Sequence, residues 1–203
     1  MNRELIDSQP QGSYACMKRP QIERGELAIS AIEPKYIEEI RLWRNAQIGV
    51  LRQSRPITLE EQVDYYSRHI WPDKAVATPK NILFIYLIQG KPIGYGGLVH
   101  IAWEHRRAEV SFMLAPNLER EKEQRARLFL TYLELIQSVA FDDLGLERIF
   151  TETYATRLNH IRTLEKAGFL CEGRLRAHVR VGEKAVDSIF HGYLASDIRI
   201  ASR

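Results

Sequence analysis

Cysteine is scarce in this sequence, which contains only Cys16 and Cys171. Two cysteines do not make a disulfide framework, and the lack of a C-x-x-C pair excludes the usual cysteine-based metal and redox motifs. We therefore expect no metal. Cys171 lies in an apolar strand context and is expected to be buried, whereas Cys16 lies in a polar segment.

Long apolar runs are also missing, since no stretch is long enough to span a membrane. The opening residues, MNRELIDSQPQGSY, lack the apolar segment of a signal peptide. We expect a cytoplasmic protein with no membrane partner. The net charge of +3 is too small to indicate a nucleic-acid partner, although it is compatible with an anionic small ligand.

The composition that is present is that of one globular domain. Of 203 residues, 45% are apolar and 27% charged, which is ordinary for a folded chain of this size. Residues 1–25 are polar and without periodicity, and we predict that they form a tail or a loosely docked arm. Residues 26–203 are predicted to form a single domain.

Hydrophobic periodicity predicts strands and helices in the first half of the chain. Residues 26–33 alternate as a strand, and a helix is predicted to start at Pro34 and to end near Asn45. Thr58 and Glu61 have the spacing of a capping box and predict the start of a second helix.

In the second half, the run ILFIYLI at residues 82–88 predicts a strand buried on both faces. A glycine-rich strand, an alternating strand at 108–114 and a long amphipathic helix at about 125–141 follow. The remaining pattern predicts a strand, a helix that stops at Gly168, and a hairpin. This order predicts an α/β (α+β) fold with a mixed sheet flanked by helices.

Several short stretches, in the same order, resemble the GNAT superfamily of acetyl-CoA-dependent N-acetyltransferases. They are LWRN followed by PITLEEQ, then AFDDLGLERIFTETY, LEKAGF, EGRLRAHV and DSIFHGYL. They look like the branch of ribosomal-protein N-terminal and amino-sugar acetyltransferases, and LWRN with PITLEEQ looks closer to the amino-sugar group. The resemblance implies a mostly antiparallel twisted sheet with splayed central strands, and acetyl-CoA as co-substrate.

The resemblance also implies where the cofactor lies. Phe112, Met113 and Leu114 would offer strand amides to the acetyl and pantetheine groups. The start of the long helix, from about Gln124, would face the pyrophosphate, because free N–H groups and the helix dipole favour anions.

The pyrophosphate loop departs from the family pattern, which is commonly Q/R-x-x-G-x-G/A. In QRARLF, Gln124 matches the first position, but Arg125, Arg127 and Phe129 stand where small residues are expected. Three hypotheses follow: the arginines bind the pyrophosphate, the loop no longer binds the cofactor, or the arginines form a solvated helix face. The third suits any single arginine, whereas the first suits the loop as a whole.

A second departure precedes the helix that ends in LEKAGF. Relatives carry Asn and Ser where this chain has Arg157 and His160. Arg157 could reach a cofactor phosphate, and His160 could contact pantetheine or cap the helix. Alternatively, both are surface residues at a helix start.

For catalysis, Glu109 is the preferred base, because relatives often carry a carboxylate on this strand; a structural ion pair with Arg106 or Arg107 is the alternative. His191 could act as acid or base, although a lone strand histidine is more often structural. Asp187 would anchor the hairpin or contact the acceptor amine. The proton donor for the thiolate is left unassigned.

Acceptor recognition is assigned to the first helices. Arg44 and Asn45 match the WRN place of relatives, and an arginine there would suit a phosphate-bearing acceptor such as an amino-sugar nucleotide. Acetylation of a protein N-terminus and a catalytically silent binding module are the alternatives. Because dimers are common in such folds, a homodimer is also an expectation.

Overall fold

The computed structural model describes residues 12–51, 53–119 and 121–198. In these residues the chain forms one eight-stranded sheet. The strands are β1 Gln21–Arg24, β2 Leu27–Ala31, β3 Ile82–Ile88, β4 Lys91–Ala102, β5 Arg107–Leu114, β6 Arg148–Tyr154, β7 Leu170–Val181 and β8 Lys184–Leu194.

Helices cover both faces of this sheet. They are α1 Ile37–Asn45, α2 Leu59–Tyr65, α3 Trp71–Lys74, α4 Lys122–Ser138 and α5 Leu158–Lys166. A π-helical turn, Tyr66–Ile70, joins α2 to α3, and a second one, Val139–Asp143, prolongs α4. None of the helices described is long and apolar enough to cross a membrane.

The strand order across the sheet is β1-β2-β3-β4-β5-β6-β8-β7. All neighbouring strands are antiparallel except β5 and β6, which run parallel. The predicted mixed, mostly antiparallel sheet flanked by helices is therefore confirmed.

The apolar run at residues 82–88 forms β3, which is buried on both faces as predicted. Phe84 and Tyr86 pack into the core that includes α4, whereas Leu83 and Ile85 pack into the core that includes α1 and α3. Alternate side chains of one strand thus join two hydrophobic cores, because successive strand residues point to opposite faces.

Two helix boundaries follow the sequence closely. Thr58 and Glu61 form the predicted capping box at the start of α2, and α1 ends at Asn45. The long helix starts earlier than expected, at Lys122. Gly168 has the left-handed φ of 87° that a helix stop requires.

The segment before residue 26 is more ordered than expected. Gln21–Arg24 forms β1, which pairs with β2. The Tyr14 side chain is buried, and its hydroxyl accepts a hydrogen bond from the backbone N–H of Leu83 at 2.9 Å. Residues 1–11 of the expected tail lie outside the described residues.

The expected burial of Cys171 is wrong, because it is exposed on the edge strand β7.

Candidate active site

Strands β5 and β6 separate in the middle of the sheet. Their parallel pairing extends only over residues 107–109 and 148–150. Beyond these pairs the strands enclose a cavity of about 440 Å³, the splay cavity, whose wall includes residues 109–112 of β5 and 151–154 of β6. The splay that the resemblance implied is therefore present.

The backbone of β5 faces two directions beside this cavity. The N–H of Ala115 donates to the carbonyl of Ile93 on β4 at 2.9 Å. Because hydrogen-bonding direction alternates along a strand, Met113 also faces β4, whereas Phe112 and Leu114 face the open edge. Of the three predicted amide donors, Phe112 and Leu114 are thus oriented towards the splay and Met113 is not.

A second space, the helix cleft, lies between the start of α4 and the start of α5. Its volume is about 460 Å³, and it shares Arg157 and His160 with the splay cavity. Its other charged residues are Glu119, Lys122, Arg125 and Arg162. The amide of Arg125 in the first turn of α4 donates to the carbonyl of Glu121. The amides before it lack helical acceptors, as suits an anion site.

Arg125 is buried, which its sequence context did not indicate. Its guanidinium donates to Glu119 at 2.5 Å and to Nδ1 of His160 at 3.1 Å. His160 is buried too and stacks on Phe129 with ring centroids 4.2 Å apart. Burial, followed by the charges of Arg157 and Arg125, holds the pKa of His160 well below its usual range. The interpretation of His160 as a surface residue is therefore wrong.

Arg157 occupies the boundary between the helix cleft and the splay cavity. It is half-buried, and no carboxylate in the described part of the chain lies within ion-pair distance of its guanidinium. Burial, together with the nearby Arg125, lowers its pKa. A half-buried guanidinium without an anionic partner is costly unless a ligand supplies one.

The other two residues of the predicted loop lie away from this cluster. The Arg127 side chain is 61% exposed and forms a loose ion pair with Glu26 at 3.8 Å. Gln124 is exposed in the first turn of α4. Side-chain binding of pyrophosphate by Arg127 is therefore not supported by its position.

A third space, the tyrosine pocket, lies on the opposite side of the splay cavity. Its volume is about 360 Å³, and it shares Arg44, Tyr65, Val99 and Ser111 with the splay cavity. Its polar wall further includes Glu61, Tyr66 and Tyr95. The three spaces form a continuous series from the helix cleft to the tyrosine pocket.

Arg44 and Asn45 differ in what they contact. The guanidinium of Arg44 donates to the hydroxyl of Tyr95 at 2.6 Å and to the amide oxygen of Gln53 at 3.2 Å. Both partners are neutral. The side chain of Asn45 bonds to the backbone of Ile57 and to Gln53. Asn45 thus joins α1 to the segment before α2, which does not favour its predicted role in substrate binding.

Two carboxylates face the splay cavity from opposite strands. Glu109 on β5 has a side chain only 15% exposed, and its Oε2 lies 3.0 Å from Nδ1 of His100. Glu152 on β6 accepts a hydrogen bond from Ser188 at 2.7 Å. Tyr154 lines the same cavity. The cavity therefore combines acidic groups that attract an ammonium with groups that can transfer protons.

The predicted site residues of the hairpin lie elsewhere. His191 is fully buried on β8, with Nε2 3.9 Å from Glu165 of α5, and reaches the cavity wall only through its cross-strand neighbour Thr151. Burial lowers its pKa. Asp187 accepts hydrogen bonds from Arg174 and from the N–H of Ala177, so it anchors the hairpin. These positions do not favour roles in catalysis or acceptor binding.

Sequence reasoning missed three groups of the site: His100, Glu152 and Tyr154. His100 lies in a glycine-rich strand. Glu152 and Tyr154 belong to ERIFTETY, which by itself indicates only the fold. Polar residues at the end of a strand that borders a splay were the available signal.

The residues present fit the CoA group that the fold implies. The order from the splay cavity to the helix cleft is open-edge amides of β5, then Arg157, which has no carboxylate partner among the described residues, then first-turn amides of α4. They match a carbonyl, an amide-bearing arm and a pyrophosphate. Across residues 12–51, 53–119 and 121–198, no group of three or more His, Cys, Asp or Glu side chains is arranged to hold a metal ion.

Comparison with known proteins agrees with this geometry. The acetyltransferase (GNAT) domain family matches residues 29–190. No curated protein matches the sequence. Among solved structures, the dodecameric spermidine N-acetyltransferase from Vibrio cholerae in an intermediate state has a TM-score of 0.75 at 20% identity, covering 89% of this chain and 100% of that one.

The Vibrio cholerae enzyme in complex with CoA and spermine has a TM-score of 0.73 at 21% identity, covering 85% of this chain and 98% of that one. A third structure, in complex with manganese ions, has a TM-score of 0.72 at 22% identity, covering 88% and 98%. At these identities the likeness shows the fold, and the domain match over 29–190 shows the family. The chain belongs to the GNAT acetyltransferases, enzymes that transfer the acetyl group of acetyl-CoA to an amine.

Proposed function

We propose that this enzyme acetylates the primary amine of a small molecule that also carries an anionic group, an amino-sugar nucleotide being the specific candidate. The observation that carries the proposal is the series of helix cleft, splay cavity and tyrosine pocket, with Glu109 on the wall of the middle space. The cofactor enters from the cleft and the acceptor from the pocket.

On the cofactor side, acetyl-CoA supplies an activated thioester. The open-edge amides of Phe112 and Leu114 hold the acetyl carbonyl and the pantetheine arm. Arg157 and the first amides of α4 bind the pyrophosphate, with Arg125 holding the shape of the site through Glu119 and His160. Because these donors are in place before the reaction, they stabilise the negative charge that develops on the carbonyl oxygen.

On the acceptor side, Glu109 and Glu152 attract the ammonium group into the splay cavity. Glu109 takes a proton from it, and the resulting amine nitrogen attacks the thioester carbonyl. The new C–N bond forms as the C–S bond breaks. Tyr154, on the wall that leads to Arg157, is the proposed proton donor to the departing thiolate, and it takes a proton in return from the nitrogen that becomes the amide.

The tyrosine pocket argues for an anionic group on the acceptor. Arg44 is half-buried there with only neutral partners, Tyr95 and Gln53, so its charge is available for a phosphate or carboxylate. Tyrosine rings can pack against a sugar or base face. Spermine, present in one similar structure, is a polycation and would meet repulsion from Arg44.

Two measurements test the proposal. Calorimetry with acetyl-CoA and desulfo-CoA should show binding of both, and absence of heat in a folded sample would contradict an enzymatic role. Thiol release with amino-sugar nucleotides, their dephosphorylated amino sugars, spermidine and N-terminal peptides should favour the first group. Equal or greater kcat/KM for spermidine would contradict the anionic acceptor, while leaving the acetyl transfer intact.

A further inference from the structure

A β-bulge in β4 brings an unexpected side chain to Glu109. The register of β4 with β5 pairs Val99 with Glu109 and then shifts by one residue before Ala102 pairs with Arg107. In a regular strand His100 would point to the face opposite Val99 and Glu109. His100 instead has a φ of 51°, in the left-handed region, and contacts Glu109. Bulges commonly redirect a side chain in this way.

The contact connects a sheltered group to an exposed one. Nδ1 of His100 lies 3.0 Å from Oε2 of Glu109, and the exposed fractions of the two side chains are 71% and 15%. One end of the imidazole therefore touches the carboxylate while the ring is open to solvent. Non-glycine residues in the left-handed region are uncommon, and backbone strain of this kind clusters at functional sites.

We propose that His100 is the proton relay that connects Glu109 to solvent during acetyl transfer. The inference rests on the proposed function. The carboxylate of Glu109 accepts the proton from the acceptor ammonium and becomes a carboxylic acid. It then passes the proton to Nδ1 of His100 in the tautomer whose hydrogen is on Nε2. The imidazolium releases one proton from Nε2 to water, and exchange with solvent then returns the remaining ring hydrogen from Nδ1 to Nε2. Both the carboxylate and the accepting form of the ring are thereby restored for the next turnover. Histidine suits this step because each of its two ring nitrogens can accept or donate a proton.

Other charged or titratable groups line the same cavity and shape the pH dependence of the step. They are Arg44, Tyr65, Glu152, Tyr154, Arg157 and His160. They come from helices and from both splayed strands. Only the contribution of His100 disappears when its ring is replaced, which makes a single substitution informative.

Two substitutions of His100 distinguish a role in proton transfer from a purely structural role. His100→Asn tolerates a left-handed φ and can donate a hydrogen bond to Glu109, but cannot titrate. His100→Gly relieves the backbone strain and leaves space for a free imidazole. His105→Asn is the matched control, because His105 is a similarly exposed histidine, 64% exposed, in the turn that follows β4.

We expect kcat/KM at pH 7 to fall about 100-fold in both variants, the lower end of general acid–base effects. The fall should be smaller at high pH, where the acceptor amine arrives unprotonated. Free imidazole should restore His100→Gly, and His105→Asn should behave as the wild type. Wild-type kcat/KM and pH profile in His100→Asn would overturn the relay, as would failure of imidazole to restore His100→Gly.

A readout that does not need activity separates this inference from the proposed function. In the ¹⁵N-labelled protein, Glu109→Gln should change the Nδ1 chemical shift of His100, whereas Glu104→Gln should not. An unchanged shift overturns the pair whatever the activity. Absence of acetyl transfer with every amine, alongside a changed shift, overturns the proposed function and the relay with it but leaves the hydrogen-bonded pair established.

Discussion

Nη2 of Arg125 lies 3.1 Å from Nδ1 of His160, and this contact joins the first turns of α4 and α5. An arginine can only donate, so Nδ1 must accept and His160 must be neutral. The low pKa of buried His160 agrees with that assignment. Arg125 and His160 therefore act as one unit.

Acid should destabilise the protein because of this buried histidine. The folded-state pKa of His160 lies well below the unfolded value of 6.5. As pH falls through 6.5, the unfolded chain therefore binds a proton at this residue that the folded chain does not bind. The free energy of unfolding should fall by up to about 1.4 kcal/mol per pH unit from this group. His191, whose pKa burial also lowers, adds a loss of the same sign.

Urea unfolding at pH 7.5, 6.5 and 5.5 measures this dependence. His160→Phe keeps the stacking on Phe129 and removes the titration, so its stability should depend less on pH. The prediction would be contradicted if the free energy of unfolding fell equally with decreasing pH in the wild type and in His160→Phe.

Arg157→Met should weaken acetyl-CoA binding without destabilising the fold. The substitution removes a half-buried charge that has no carboxylate partner in the described residues, so unfolding should be unaffected or slightly harder. Loss of charge-assisted bonds to pyrophosphate should lower affinity about 10- to 100-fold, measured by calorimetry. Arg127→Met is the control on the exposed side of α4. Acetyl-pantetheine lacks the pyrophosphate, and an equal loss of its affinity would contradict this assignment.

Arg44→Met should raise KM for the acceptor much more than it lowers kcat. The guanidinium is proposed to bind an anionic group remote from the reacting amine, so its loss removes binding energy common to ground and transition states. We expect about a 10- to 100-fold rise in KM, measured by thiol release at saturating acetyl-CoA. Arg41→Met, one turn away and paired with Glu38, is the control. A lower KM for the acceptor in Arg44→Met would show that the pocket binds a cation.

Gly97→Ala should destabilise the sheet beside the splay strongly. Gly97 has a φ of 155°, and an added Cβ would overlap the backbone carbonyl of Ile82 on β3. Strain and overpacking together should cost about 3 kcal/mol or more of unfolding free energy. Gly25→Ala is the control, because its φ is 62° but no atom lies within 4 Å of the added Cβ. It should cost only about 1–2 kcal/mol. An equal loss of unfolding free energy in Gly97→Ala and Gly25→Ala, measured by urea unfolding, would contradict the steric explanation.

Local signals in the sequence predicted the elements well, because they depend on neighbours along the chain. The capping box of Thr58 and Glu61 and the doubly buried strand at 82–88 were recognised for this reason. The segment around Tyr14 was misjudged, because its burial comes from a contact with Leu83, 69 residues away. The same limit applies to Cys171, whose strand lies at the sheet edge.

The predicted site residues also fall into two groups, those that line the splay cavity and those that bond within the protein. The family pattern directed attention to Glu109, Arg157 and His160, which the fold brings to the splay cavity. Asn45 and Asp187 are polar residues at plausible places, yet their hydrogen bonds are used within the protein. A pattern in the sequence cannot distinguish a polar group with its partners already supplied from one that awaits a ligand.

The order of strands and helices and the family follow from the sequence alone, since both depend on short-range periodicity and on short ordered motifs. Which charges are open to ligands depends instead on how the elements pack in three dimensions. The guanidinium of Arg125 is hydrogen-bonded to Glu119 and His160. By contrast, Arg157 and Arg44 face the cavities with no carboxylate partner among the described residues. A one-residue bulge places the ring of His100 against Glu109. Burial and pairing arise between residues far apart in the chain, so they exist only once the sheet and helices have packed.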